Sequence, residues 1–282
     1  MRIAVIGANA LGVLIALGLI IKSWPILTSK PLTQLLFSSE WFPLKGKFGF
    51  YPFIIGTIEV TAIAMAIAIP ICLFSAIYLS EYAPKHVRAI IRPVIDILAG
   101  IPSVIFGLWG VIVVVPFVRW LGERLGVHTT GYSLLSGGII LSIMVFPIII
   151  SVSMEVMRTV PIEARETCLS LGTTKWETVK WVVLRNAMRG IIAAIVLGFA
   201  RAFGETIAVL MVVGNVAKVP NSIFEPAYPL ASLIANNYGE MMSIPMYDSA
   251  LMLAALILFM VVAGFNVGAH YTLWRLRRRG LG

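Results

Sequence analysis

The sequence predicts an all-α fold: a polytopic bundle of six transmembrane helices forming a single membrane domain over residues 1–282. Three observations carry that prediction. Hydrophobic residues make up 59% of the chain and charged residues only 12%, about half the roughly 25% charge of an ordinary soluble domain. Several apolar runs reach the roughly 20 residues a helix needs to cross hydrocarbon. These runs are continuous rather than alternating, which selects helices over the strands of a closed barrel, the only other spanning structure.

The formal net charge of +9 does not point to nucleic acid. The basic residues lie in short segments between apolar runs, the pattern of a topology signal facing anionic membrane lipid. Cys72 and Cys168 are far apart and show neither metal-ligand nor disulfide-framework spacing.

The six spans are expected at about 3–22, 54–80, 97–118, 134–155, 189–214 and 249–272. In the first, the apolar stretch from Ile3 to Ile21 is too long for a typical signal-peptide core, and no clear small-residue cleavage site follows. Segment 23–53 holds Pro25, Pro31, Pro43 and Pro52, which argues against one long helix. Pro70 breaks the apolar run of the second span, and Glu59 near its outer end has no assigned role. Gly100-Ile101-Pro102 loosens the first turns of the third. Such breaks are tolerated where neighbouring helices or a cavity satisfy the freed backbone.

Placing the N-terminus in the cytoplasm puts roughly twice as many Lys and Arg inside as outside, as the positive-inside rule requires. The inside set includes Lys85, Arg88, Arg92, the loop after Arg158 and the tail Arg275, Arg277, Arg278 and Arg279. Both termini are then cytoplasmic.

The longest inside loop, 158–188, is patterned. Pro161 opens a short helix from Ile162 to Leu171, with Ala164, Cys168 and Leu171 at spacings that share one face and Glu163 and Glu166 elsewhere on its surface. Gly172 ends it. Thr174, with Glu177 three residues on, is a capping-box pattern that starts a second helix, the pair lying against the inner membrane face. From the residues alone, a docking element and a solvated charged connector are both open.

Arg201 and Glu205 interrupt the apolar run Ile191 to Val213. Arg201 is expected about 16 Å from the inner end at roughly 1.5 Å per residue, near the bilayer midplane. A lone charge there costs at least roughly 2.5–3.5 kcal/mol on insertion scales. At i and i+4 the two share a helix face and can pair, and Gly204 between them admits a close neighbour. Two readings are open: a self-neutralising pair that joins helices, or an anion relay in which the arginine offers several donors to an oxyanion and the carboxylate holds it when the site is empty.

Two resemblances bear on these choices. Glu166-Thr167-Cys168 followed by Gly172, with Val182-Val183-Leu184 further on, resembles the EAA loop of binding-protein-dependent ABC permeases. It departs from that pattern at Thr167 and Cys168, where the family has alanines, and at Arg185, where it has proline. Arg201-Ala202-Phe203-Gly204-Glu205-Thr206 is similar to the Arg-Ala-x-Gly-Glu-Thr of phosphate-specific (Pst) permeases, and its continuation to Val213-Gly214-Asn215 looks like the PstC type rather than PstA. The stretches Ala76 to Pro84, Leu98 to Gly110 and Ser232 to Ala235 agree. The resemblance covers about residues 54–272.

It implies the fold of a type I ABC importer permease with a short cytoplasmic coupling helix, in the inner membrane, forming half of a translocation path for inorganic phosphate. Arg201 becomes the phosphate-contacting candidate and Glu205 its switchable partner. Thr206 and Ser103 are weaker path-lining candidates, since each can equally bond a carbonyl of its own helix. Glu163, Glu166, Cys168 and Gly172 become the ATPase-coupling candidates. The implied partners are a second permease subunit (PstA-like), an ATPase dimer (PstB-like) and an external phosphate-binding protein (PstS-like). The chain carries no G-x-x-x-x-G-K-[ST] loop, so it is not expected to be an enzyme, and ATP and Mg belong to the partner ATPase. No metal or cofactor is expected in this chain.

Three rival readings remain open. A permease for another oxyanion (sulfate, molybdate or tungstate) would also use a buried arginine. A membrane enzyme needs clustered catalytic groups, whereas His86, His128 and His270 are scattered. A channel or sensor that needs no ATPase leaves the helix–glycine–helix loop without a purpose.

Overall fold

The computed structural model describes residues 2–240 and 244–278. Arg279 of the basic tail lies outside them, as do the side chains of Arg2, His270, Arg275, Arg277 and Arg278. Among the described residues, six helical stretches are long and apolar enough to cross a membrane: Ala10–Ser29, Tyr51–Tyr82, Ser103–Arg124, Leu134–Arg158, Lys175–Gly204 and Tyr247–Ala269.

Helix α1 (Arg2–Ser29) passes through Pro25 and so runs further than the expected 3–22. The rest of the proline-rich segment is short pieces: α2 (Leu32–Phe37), then an antiparallel pair, β1 (Trp41–Phe42) and β2 (Lys47–Phe48), closed over Gly46. Trp41 packs against Phe48, Phe50, Phe53 and Tyr247 with ring centroids 4.8–6.0 Å apart, fixing this segment to the bundle.

Helix α3 (Tyr51–Ile77) is the second span. It is continuous through Pro70, contrary to the expected break, and loosens only at a π-helical turn, Tyr78–Tyr82. Its buried positions Gly56, Val60, Ala64, Ala68, Cys72 and Ala76 recur every four residues. This stripe of small side chains lets a neighbour approach closely, as membrane helix packing requires. That neighbour is α7 (Leu134–Arg158), whose Leu141, Val145 and Ile149 complete the main core. A Cβ on Gly138 of α7 would fall 2.4 Å from Ile63 Cγ2, so the two helices could not meet as they do around a larger residue.

The expected third span, 97–118, starts too early. Helix α4 (Lys85–Gly100) ends at Ile101, whose backbone is extended ahead of Pro102, as the residue before a proline prefers. The span proper begins at Ser103: α5 (Ser103–Trp109), a π-helical turn (Gly110–Val114) and α6 (Val115–Arg124). Helix α4 is a separate amphipathic element.

The loop after α7 holds α8 (Ile162–Ser170). Beyond Gly172, α9 (Lys175–Thr178) runs through a π-helical turn (Val179–Val183) into α10 (Leu184–Gly204) as one continuous helix. The second helix of the loop is therefore the start of the fifth span itself, and not a separate piece lying against the membrane face. The fifth span also stops ten residues before the expected 214. Glu205 and Thr206 leave helical geometry, and a short α11 (Ile207–Val212) follows.

The segment after α11 is pinned to the start of α7. The amide of Leu134 donates to Glu225 carbonyl and that of Leu135 to Ile223 carbonyl, both at 2.9 Å. It continues into α12 (Leu230–Asn237), and the last helix is α13 (Tyr247–Arg278), which packs along α1.

Candidate functional site

Two regions gather the candidate residues. The first is the break in the fifth span. Arg201 sits in the last turn of α10, half-buried. Glu205 is extended, at φ −74° and ψ 132°, so the helix face that would have carried both side chains ends at Gly204. Among the described residues no ion pair joins Arg201 to Glu205. The expectation of an i,i+4 pair on one helix fails for that reason.

Glu205 has a different job. Its Oε1 accepts the amide protons of Thr206 at 3.1 Å and Ala208 at 3.3 Å. It caps the first turn of α11, whose N–H groups have no partner inside the helix. The Thr206 hydroxyl donates back at 3.4 Å to the carbonyl of Gly204, the last residue of α10, so the bond spans the break and is not the bond within its own helix expected as its alternative. Among the described residues the Arg201 guanidinium is then in no ion pair, at a point where the backbone is irregular. Irregular backbone at membrane depth is tolerated where protein or a water-filled cavity receives it.

Ser103 is the first residue of α5, half-buried. Helix α5 packs directly on α11: a Cβ on Gly107 would lie 2.5 Å from Met211 Sδ and 3.2 Å from Ala208 Cα. The structure thus brings the helix of Ser103 against the helix that Glu205 caps, without a hydrogen bond from Ser103 to Arg201, Glu205 or Thr206.

The second region is the loop 158–188. Glu163 and Glu166 are exposed on α8, while Ala164 and Cys168 are half-buried beneath them. Leu171, expected beside Ala164 and Cys168, is 78% exposed, because α8 stops at Ser170 and the chain turns. Gly172 makes that turn at φ +86°, a conformation glycine adopts without penalty. The capping box is present: the Glu177 amide donates to Thr174 Oγ1 at 3.2 Å and the Thr174 amide to Glu177 Oε2 at 2.8 Å. Ile162, Leu169, Leu171 and Trp176 give the same loop an exposed apolar margin.

Two features were not foreseen. Arg165 of α8 reaches Glu81 Oε1 at 3.0 Å and the Met157 carbonyl at 2.8 Å, and also donates to the Val160 carbonyl. Ser80 donates to the same Glu81 oxygen at 2.8 Å. A lone arginine in a charged loop gave no hint of this. At the other end of α3, Glu59 borders a cavity of about 260 Å³ with Asn221 and Ser222, and its Oε2 is buried without a hydrogen-bond partner.

Residues 68–273 match the family model described as binding-protein-dependent transport system inner membrane component. The phosphate transport system permease protein PstC of Xylella fastidiosa (strain 9a5c) is 39% identical over 259 residues, 86% of this chain and 79% of that protein. PstC of Mesorhizobium japonicum is 34% identical over 280 residues, 94% of this chain and 85% of that protein. Among solved structures, an inward-facing methionine ABC transporter, MetNI, superposes with a TM-score of 0.61 at 18% identity, over 80% of this chain and 97% of that one. At that identity the likeness shows a shared fold.

Proposed function

The chain belongs to the family of binding-protein-dependent transport system inner membrane components, and from that premise we propose that it is the PstC-type permease subunit of an ABC importer of inorganic phosphate. The observation that carries this reading is identity of 39% to a phosphate transport permease across 86% of the chain. The fold agrees, being that of ABC importer permeases.

The finer parts of the reading follow. A second, PstA-like permease completes the path, a PstB-like ATPase dimer binds ATP and Mg, and a PstS-like protein delivers phosphate from outside. The chain lies in the inner membrane with both termini cytoplasmic, by its Lys and Arg distribution. The ATPase docks on α8, where Glu163 and Glu166 with the apolar margin offer charge and contact area, Cys168 packs beneath, and Gly172 shapes the turn.

Two rigid links lead from that dock. The helix that starts at the Thr174 cap is continuous to Gly204, about 45 Å at 1.5 Å per residue, and it carries Arg201 in its last turn. The Arg165–Glu81 ion pair joins α8 to the end of α3. Movement of α8 therefore reaches both the helix bearing Arg201 and the core pair α3–α7. Arg201 receives the phosphate oxyanion with its planar set of donors, Glu205 sets the break beside it, and Thr206 and Ser103 line the same region.

The test is ATP-driven uptake by the full complex in proteoliposomes with its binding protein. Phosphate accumulation with coupled hydrolysis supports the reading. A complex that carries sulfate or molybdate and ignores phosphate overturns the substrate assignment and leaves the permease assignment standing.

A further inference from the structure

Helix α4 presents three sectors. Val87, Ile91 and Ile95 face the core. Ile90, Val94 and Ile97 are exposed, as on a helix whose apolar side lies at the acyl boundary. Lys85, Arg88, Arg92 and Asp96 follow at helical spacing on the remaining sector, toward the last turn of α7. There they meet Arg158, and these five residues with Ala89 and Pro93 line a cavity of about 350 Å³. A narrow recess beneath it is lined by Arg88, Arg92, Arg158, Leu79, Ile95 and Met154.

Four cations and one carboxylate thus share one cavity. Among the described residues Lys85, Arg92 and Arg158 are in no ion pair. Arg88 donates from Nη2 to the Ser80 carbonyl at 2.8 Å, but its Nε is buried without a partner. Glu155 lies in an adjoining cavity that shares Arg92 and Asp96, and among the described residues it forms no ion pair with Arg92. The buried Arg88 Nε without an acceptor calls for a partner, and the exposed Arg92 and half-buried Arg158 beside it offer guanidinium groups whose geometry matches a phosphate oxyanion. The cavity is larger than a bare ion needs, holding on the order of ten waters at about 30 Å³ each.

We propose that this cavity binds a phosphate group, carried either by an anionic lipid headgroup or by free inorganic phosphate. Arg92 and Arg158 grip the oxyanion, Lys85 adds charge, and Arg88 fixes the floor. Through the Ser80 carbonyl, Arg88 is one residue from Glu81, so an occupant stabilises the joint between α3 and α8. The site rests on the permease reading only for which membrane face it occupies.

The experiment uses the full complex in nanodiscs, comparing wild type with Arg92→Gln/Arg158→Gln and, in case that pair perturbs assembly, with Arg92→Gln alone at an exposed position. In one arm the bilayer contains phosphatidylglycerol, and anionic lipid retained after detergent extraction is counted by native mass spectrometry. In the other the bilayer is phosphatidylcholine alone, radiolabelled inorganic phosphate is the probe, and every complex also carries Arg201→Gln, so the transport path cannot supply the signal. The expected result is at least a tenfold loss of retained lipid or of bound phosphate in the double variant and a several-fold loss in Arg92→Gln. Loss confined to the first arm identifies the headgroup as the ligand, and loss in the second identifies free phosphate. Equal retention and equal phosphate binding in wild type and both variants overturn the site. Uptake by the wild-type complex is scored separately: its absence would sink the transport reading without touching this comparison.

Discussion

Arg165, near the start of α8, and Glu81, at the end of the second span, form an ion pair at 3.0 Å although 84 residues separate them in the chain. Their side chains are 19% and 9% exposed, so water screens the pair little. The guanidinium also serves the carbonyls of Met157 and Val160. Removing one member of a buried pair costs about 3–5 kcal/mol, because the other is left charged and unpaired. Arg165→Met is expected to lose stability of that order in thermal unfolding of the detergent-solubilised complex. Glu81→Gln should lose less, since its amide oxygen still accepts from Arg165 and Ser80. In proteoliposomes both should hydrolyse ATP with less phosphate moved per ATP. Wild-type melting and wild-type coupling in Arg165→Met would show that the pair transmits nothing.

At the break in the fifth span, stability and transport should separate by substitution. Glu205→Gln keeps an oxygen to accept from the amides of Thr206 and Ala208, so its fold should hold while the charge beside Arg201 is gone. Glu205→Ala loses the cap as well, worth about 1 kcal/mol. Arg201→Gln should reduce uptake at least tenfold, since a hydrogen bond to a charged group contributes roughly 1.5–3 kcal/mol, with the complex assembled and hydrolysing ATP. Uptake near wild-type rates in Arg201→Gln would make the arginine a structural residue.

Local chemistry in this chain was legible and distant chemistry was not. Gly172 and the Thr174–Glu177 box were readable because each acts within a single turn. The six spans were readable because hydrocarbon imposes length and apolarity on each one alone. The break at Glu205 was hidden inside a continuous apolar run, since hydropathy does not register backbone direction. Its local signal was Gly204 followed by two polar residues able to hold a new helix start. Neither the Arg165–Glu81 pair nor the meeting of Arg158 with Arg88 and Arg92 has a local signature, because tertiary packing alone brings α8 to α3 and α4 to α7.

The turn between α8 and the fifth span offers a separate test of the dock. Beyond Gly172 and its two chain neighbours, no described atom lies within 4 Å of a Cβ placed on Gly172, which is held at φ +86°. Gly172→Ala therefore meets only backbone strain, about 1–2 kcal/mol, spread over an exposed turn. Thr174→Ala removes the cap at a cost near 1 kcal/mol. Both should leave the melting temperature of the bundle nearly unchanged and reduce co-purification of the ATPase. Undiminished co-purification in both would remove the turn from the docking surface.

On the opposite side of the bundle, the buried Thr57 hydroxyl donates to the Phe53 carbonyl at 2.7 Å and accepts the Leu230 amide at 2.9 Å. It is the link between α3 and the first turn of α12. Thr57→Val has nearly the same shape but leaves that amide buried without an acceptor, a penalty of about 1–3 kcal/mol. Thr57→Ser keeps both bonds and loses one methyl, about 0.8 kcal/mol. Hydrogen exchange at Leu230 discriminates between packing and bonding as the source of the link. If bonding holds α12, the Leu230 amide should exchange at least tenfold faster in Thr57→Val than in Thr57→Ser. If packing holds it, the valine variant should exchange as slowly as wild type and the serine variant faster, because only serine removes contact surface.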